Sequence, residues 1–138
     1  MIFVIPGNPQ GKARPKVTRN GTYTPRKTRE YEELVRACYK QAGGLYFGAG
    51  EPLMVCMGVY YPVPKNATKA NRERMLAGEI KPTKRPDWDN VGKIVCDALN
   101  GIAYHDDAQI VRATVIKRYA IEPHVTVCIK EVTHGQSD

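Results

Sequence analysis

"RPDWDNVGKIVCDALNGIAYHDDAQI", residues 85–110, holds five of the six aspartates in this chain: Asp87, Asp89, Asp97, Asp106 and Asp107. The surrounding protein is basic, with 21 Lys and Arg against 14 Asp and Glu over 138 residues. From Trp88 onward, apolar residues at 88, 91, 94, 95, 98 and 102 make a helical stripe. Asn100-Gly101 closes it where glycine commonly ends a helix. Asp89, Lys93 and Asp97 stack along the opposite side, each a turn apart. Pro86 disfavours helix at Arg85 and stiffens the approach.

Taken singly, these aspartates have ordinary explanations. An Asp before a helix is an N-cap, Asp-Lys-Asp at four-residue spacing is a solvated ion-pair ladder, and "HDD" is a polar turn. Taken together they suggest something else. A helix of about ten residues spans ~15 Å, and the connection from Gly101 to Asp107 reaches ~20 Å when extended. Asp106 and Asp107 can therefore return to the helix N-terminus. In an extended segment Asp87 and Asp89, two apart, face one side, so three or four carboxylates are expected in one pocket.

Such crowding raises carboxylate pKa values unless a cation relieves it. All-oxygen ligands favour Mg²⁺, or Mn²⁺ in its place, over zinc. An acidic metal site on a basic protein fits phosphodiester chemistry, in which metals activate water and stabilise the leaving oxygen. Gly92 interrupts the helix at a cost of ~1 kcal/mol relative to alanine. Close approach of another backbone or of DNA would offset that; simple tolerance explains it equally.

Outward from this stretch, "MIFVI" reads as a short strand stopped by Pro6 and Gly7. Residues 6–29 carry Lys12, Arg14, Lys16, Arg19, Arg26, Lys27 and Arg29 and no acid. Asn20-Gly21 inside "KVTRNGTYT" signals a type I′ turn, so this segment is a basic loop, hairpin or flap. Residues 28–43 form an amphipathic helix, capped by Thr28, with Glu30 to Glu33 in its first turn and Gly43 stopping it. A strand from Leu53 to Tyr61 ends at Pro62 and Pro64. "ATKANRERMLAGEI" is a short charged helix, and "KPTKRP" brings Lys81, Lys84 and Arg85 up to the Asp-rich stretch. "AQIVRATVIKRYA" and "HVTVCIKEV" alternate at period two as closing strands.

The length fits one domain. A pI near 9.3 favours a polyanionic partner, nucleic acid or a membrane surface. The membrane is disfavoured, since the basic segment is proline-rich rather than an amphipathic helix with apolar anchors. No apolar run approaches ~18 residues, and "MIFVIPGNPQ" lacks the basic start of a signal peptide. Cys38, Cys56, Cys96 and Cys128 are dispersed, which points to buried reduced thiols and the cytoplasm rather than a zinc site or disulfides. His105, His124 and His134 lack the local arrangement of an HNH nuclease.

The run D-x-D-N-x-x-K, then D-A-L-N-G, then D-D-x-Q resembles the central signature of the RusA-like Holliday-junction resolvases of bacteria and their phages. "PGNPQGKARPK" is similar to starts in phage-type members. The resemblance implies an α+β fold (α/β mixed), a single compact domain over 1–138 with a mixed β-sheet packed by helices and a disordered-prone tail at 133–138. It also implies a Mg²⁺-dependent homodimeric endonuclease of DNA recombination and repair that nicks four-way junctions symmetrically, with no small-molecule cofactor. Asp87, Asp89 and Asp107 match the family's metal-binding carboxylates and Lys93 its essential lysine. Asp106 is an accessory candidate, so either Asp106 or Asp107 supplies the third ligand. Lys12, Arg14, Lys16, Arg19, Arg26, Lys27, Lys84 and Arg85 are the expected DNA contacts. Trp88 reads as core rather than as a stacking partner for a splayed base, and Asp97 as structural or a partner of Lys93. A different structure-selective or nicking nuclease, and a non-catalytic DNA-binding protein, are the alternatives.

Overall fold

A computed structural model describes residues 1–133; positions 134–138 of the expected tail, with His134, lie outside the described residues. Strand β1 (Ile2–Pro6) is followed by a small hairpin, β2 (Lys16–Thr18) and β3 (Gly21–Tyr23), and by helix α1 (Arg26–Gln41). Then come β4 (Leu53–Pro62), α2 (Lys69–Leu76), α3 (Trp88–Ala98), a 3₁₀ turn (Asp107–Gln109), β5 (Ile110–Ala120) and β6 (His124–Glu131). The four long strands form one mixed sheet in the order β1-β6-β4-β5. This is the expected α+β architecture.

Period-two alternation becomes a single apolar face through register. Phe3 opposes Val127, which opposes Met57; Ile5 opposes Val125, which opposes Val59. All six are buried. Onto this face pack Tyr31, Val35 and Tyr39 of α1 and Val91, Ile94, Val95 and Ala98 of α3, all buried too. Each such aliphatic side chain contributes ~1.5–3 kcal/mol when fully buried, so the two helices are fixed by the sheet. β4 and β5 run parallel, which requires a long crossover, and that crossover carries α2, α3 and every clustered aspartate.

Four local expectations change. Helix α1 begins at Arg26, with Pro25 at the N-cap position, where no helical N–H is required of it. Thr28 therefore lies inside the first turn and is buried, and no acid stands in that turn. In the hairpin, Thr18 pairs with Gly21. Among the described residues no non-glycine residue has positive φ, while Gly21 has φ 117°, so the turn at Arg19-Asn20 is not type I′, which needs positive φ at both central residues. Trp88 is 60% exposed rather than core. The cysteines are free, but Cys56 is exposed and Cys38, Cys96 and Cys128 are half-buried; Cys56 and Cys128 alternate away from the buried face of β4 and β6, while Cys38 and Cys96 pack at the edge of the core.

Candidate active site

Helix α3 organises the site. Its apolar stripe is clamped on the sheet, which leaves the Asp89–Lys93 side facing outward. Asp89, Lys93 and Asp107 line one open cleft of about 310 Å³ between α3 and β5, together with Trp88 and Gly92. The return from Gly101 brings Asp107 onto this cleft, but its backbone is tied to Asn100 at the C-terminal end of α3, not at the helix N-terminus where it was expected.

Asp107 is held by the end of α3 itself. Its backbone N–H donates to Asn100 Oδ1 at 2.8 Å. Burial pushes its carboxyl up to about 6, reinforced by hydrogen bonds to the Asp97 and Asp106 side chains and by the Asp97 charge, while Asn100 works in the opposite direction. Carboxylates are crowded here, but the crowd is Asp97, Asp106 and Asp107 at the C-terminal end of α3.

Asp106 has a structural task. It caps the 3₁₀ turn by accepting from Ala108 N, in a reciprocal capping box with Gln109. Gln109 accepts from the N–H groups of His105 and Asp106 and donates to the carbonyls of Gly48 and Glu51 at 2.9 and 3.0 Å. That one side chain buckles the Asp-rich turn to the loop before β4.

Asp87 goes elsewhere. It is the N-cap residue of α3 and lines a neighbouring cleft of about 440 Å³ with Lys12, Arg85 and Asn90. The two-apart rule fails because the helix starts at Trp88: Asp89 is already on the helix, about 100° per residue around its axis. Among the described residues no three His, Cys, Asp or Glu side chains are grouped to hold a metal ion. The expected convergence of three or four carboxylates is not found among the described residues; Asp89 and Asp107 share the lining of one cleft and Asp87 lines its neighbour. This donor set still suits a hard cation, since Mg²⁺ is usually held by one or two carboxylates plus substrate phosphates.

The approach to α3 is stapled to the sheet. Tyr61 Oη donates to the Pro86 carbonyl at 2.5 Å, and burial with the nearby Asp87 charge pushes Tyr61 up to about 12. Lys117 Nζ donates to the Lys84 carbonyl at 2.7 Å and lies 4.9 Å from the Tyr61 ring centroid. Sequence reasoning missed Gln109, Tyr61 and Lys117, and gave Asn100 no role beyond the polar face and end of the helix. Asn100 and Gln109 stood inside the quoted motifs, whereas Tyr61 and Lys117 meet the site only through the β4–β5 pairing.

The basic residues divide into two sets. Lys12 is committed inside the fold, 3.0 Å from Glu32 Oε2 and 3.4 Å from Asp97 Oδ2. Burial disfavours its charge, yet Glu32 and Asp97 prevail and raise its pKa. Asp97 is thus the partner of Lys12. Arg26 pairs with Glu30 in the open, an ion pair of small worth. Lys16, Arg26 and Lys27 line one groove that shares Gln10 and Gly11 with the Asp87 cleft, and Arg85 lies further along. Arg14, Arg19 and Lys84 are exposed.

No helix of the described residues is long and apolar enough to cross a membrane. The uncharacterized protein YqaN of Bacillus subtilis (strain 168) is 36% identical over 137 residues, an alignment covering 95% of this chain and 96% of that relative. The family model for endodeoxyribonuclease RusA matches residues 6–130. With the signature aspartates, the mixed sheet and this match over nearly its whole length, the chain belongs to the RusA endodeoxyribonuclease family.

Proposed function

We propose that this protein is a Mg²⁺-dependent endonuclease that resolves four-way DNA junctions by paired, symmetric nicks, acting as a homodimer. Nucleases of this family generally depend on a divalent metal; Mg²⁺ is the choice that oxygen donors favour, with Mn²⁺ able to replace it. The observation that carries the reading is the shared cleft of Asp89, Lys93 and Asp107 on a basic member of an endodeoxyribonuclease family.

Asp89 and Asp107 are the residues of this cleft that would hold the cation. A bound divalent ion supplies a water of lowered pKa and neutralises charge on the phosphate. Lys93, one helical turn from Asp89, stabilises the developing charge on the phosphate oxygens or orients the water. Asp87 acts from the adjoining cleft, on the path of the strand, and Asp106 supports Asp107 through the capped turn. Lys16, Arg19, Lys27, Lys84 and Arg85 hold the DNA backbone, with Arg14 and Arg26, and Lys12 contributes mainly by fixing the loop. A four-way junction has two-fold symmetry, and a C₂ dimer presents two sites related by the same operation.

A Mg²⁺-dependent assay comparing a synthetic four-way junction with linear duplex and flap substrates tests this. Cleavage of the junction alone supports it. Cleavage of all three makes the protein a broader structure-selective or nicking nuclease, and cleavage of none returns the aspartates to caps and ion pairs.

A further inference from the structure

Trp88 opens the apolar stripe of α3, yet it is 60% exposed and stands at the lip of the cleft that holds Asp89, Lys93 and Asp107. The opposite wall is apolar: Val55, Met57, Ile110 and Val115. Between them lies Gly92. Glycine is the poorest helix former after proline, so its place inside α3 asks for a reason. A Cβ at Gly92 would meet only Val115 Cγ2, at 3.9 Å, an ordinary van der Waals distance. Packing within the chain therefore does not require glycine there. What glycine does is keep a side chain out of the slot between α3 and β5.

We propose that this slot takes one unstacked nucleobase of the DNA, with Trp88 as its stacking face. The inference rests on the nuclease reading only for the nature of the polymer. Trp88 and Gly92 are one helical turn apart, and Asp89 and Lys93 are the next residues along from each. An apolar slot and a charged rim thus run side by side on the same helix. That combination suits a nucleotide, whose flat apolar base is tethered to an anionic phosphate; Lys93 complements the phosphate while the slot takes the base. The cleft, about 310 Å³, is at the small end of ligand pockets, sized for a single base rather than for a duplex. Base–aromatic stacking tolerates any base, so Trp88 would favour locally unpaired DNA, such as a junction centre, without imposing a sequence.

The chain has one tryptophan, so its emission reports on this slot alone. The full chain is titrated, without divalent metal, with a four-way junction, a single strand and a blunt duplex, while binding is followed separately by anisotropy. The expected result is quenching by junction and single strand but not by duplex. Trp88→Ala should weaken junction binding about ten-fold, and Trp88→Phe should restore most of it. Gly92→Leu, which fills the slot while favouring helix, should weaken binding comparably with an unchanged circular-dichroism spectrum. Unchanged emission on a bound junction, or wild-type affinity in Trp88→Ala, overturns the proposal. So does quenching that follows protein concentration without DNA, which would assign the slot to a second copy of this chain. A junction that quenches Trp88 yet is never cut with Mg²⁺ overturns the nuclease reading and leaves the slot standing. Cutting at the wild-type rate by a Trp88→Ala protein of unchanged affinity does the reverse.

Discussion

The side chain of Asn100, just past the last turn of α3, accepts a hydrogen bond from the backbone N–H of Asp107 at 2.8 Å. That single bond joins the helix carrying Asp89 and Lys93 to the turn carrying the second carboxylate of the cleft. A separate hydrogen bond between the Asn100 side chain and the Asp107 carboxyl offsets part of the upward pressure on that carboxyl from burial, Asp97 and Asp106. Asn100→Ala should lower turnover roughly 10–100-fold, the usual effect of removing a residue that orients a metal ligand. Junction affinity measured without metal should stay within about two-fold. Because water can reach the freed N–H, stability should fall by under ~1 kcal/mol. Unchanged turnover would mean that Asp107 is positioned without Asn100.

Lys93→Ala should reduce the single-turnover cleavage rate by about 10²–10³-fold, the scale of removing one transition-state charge stabiliser, with a much smaller change in affinity. Quench-flow rates alongside equilibrium binding separate the two. Equal reductions in both would make Lys93 a binding residue.

For the basic hairpin, Lys16 and Arg19 are both exposed. Replacing both with Gln should reduce the slope of log affinity against log salt by ~0.9 for each DNA phosphate that the protein no longer neutralises, with cleavage at saturating protein retained. An unchanged slope would place the DNA away from the hairpin.

Lys12 ties the N-terminal loop to Glu32 of α1 and Asp97 of α3. Lys12→Met should destabilise the fold by about 1–2 kcal/mol, because two half-buried carboxylates are left without their shared cation. The Lys12 pKa is raised in the folded protein, burial opposing and Glu32 and Asp97 prevailing. The Lys12 contribution is therefore fully present below the unfolded value near 10.5 and is lost as pH rises through the higher folded value. Denaturant titrations across that alkaline range should show wild type losing stability that Lys12→Met does not lose.

How much was legible follows from which forces are local. The β1, β4, β5 and β6 strands and the α3 stripe were readable because alternation at two and at 3.6 is written in the order of residues such as Leu53, Val55, Met57 and Val59. The start of α1 was not, since Thr28 is a good cap by type but Pro25 admits the chain to helix earlier and the core takes the Thr28 side chain. Chain reach returned Asp107 to α3, but to Asn100 at its C-terminal end rather than to its N-terminus. It misplaced Asp87, because whether Asp87 and Asp89 share a side depends on which residue begins the helix. Trp88 was read by hydropathy as core, whereas it is exposed at the lip of the cleft between α3 and β5. The Lys12–Asp97 pairing joins residues 85 apart in sequence, and they meet because the N-terminal loop lies against α3, where the Lys12 N–H donates to the Asn90 carbonyl.

The most direct test of the central claim maps nicks at nucleotide resolution on a four-way junction labelled in turn on each strand, with Mg²⁺, for wild type and Asp89→Asn. The account predicts symmetric nicks on two opposed strands by wild type. It predicts no cleavage by Asp89→Asn, which should bind the junction as well or more tightly once a negative charge beside the phosphate is gone. Cleavage by Asp89→Asn at the wild-type rate, or loss of binding together with cleavage, would contradict it.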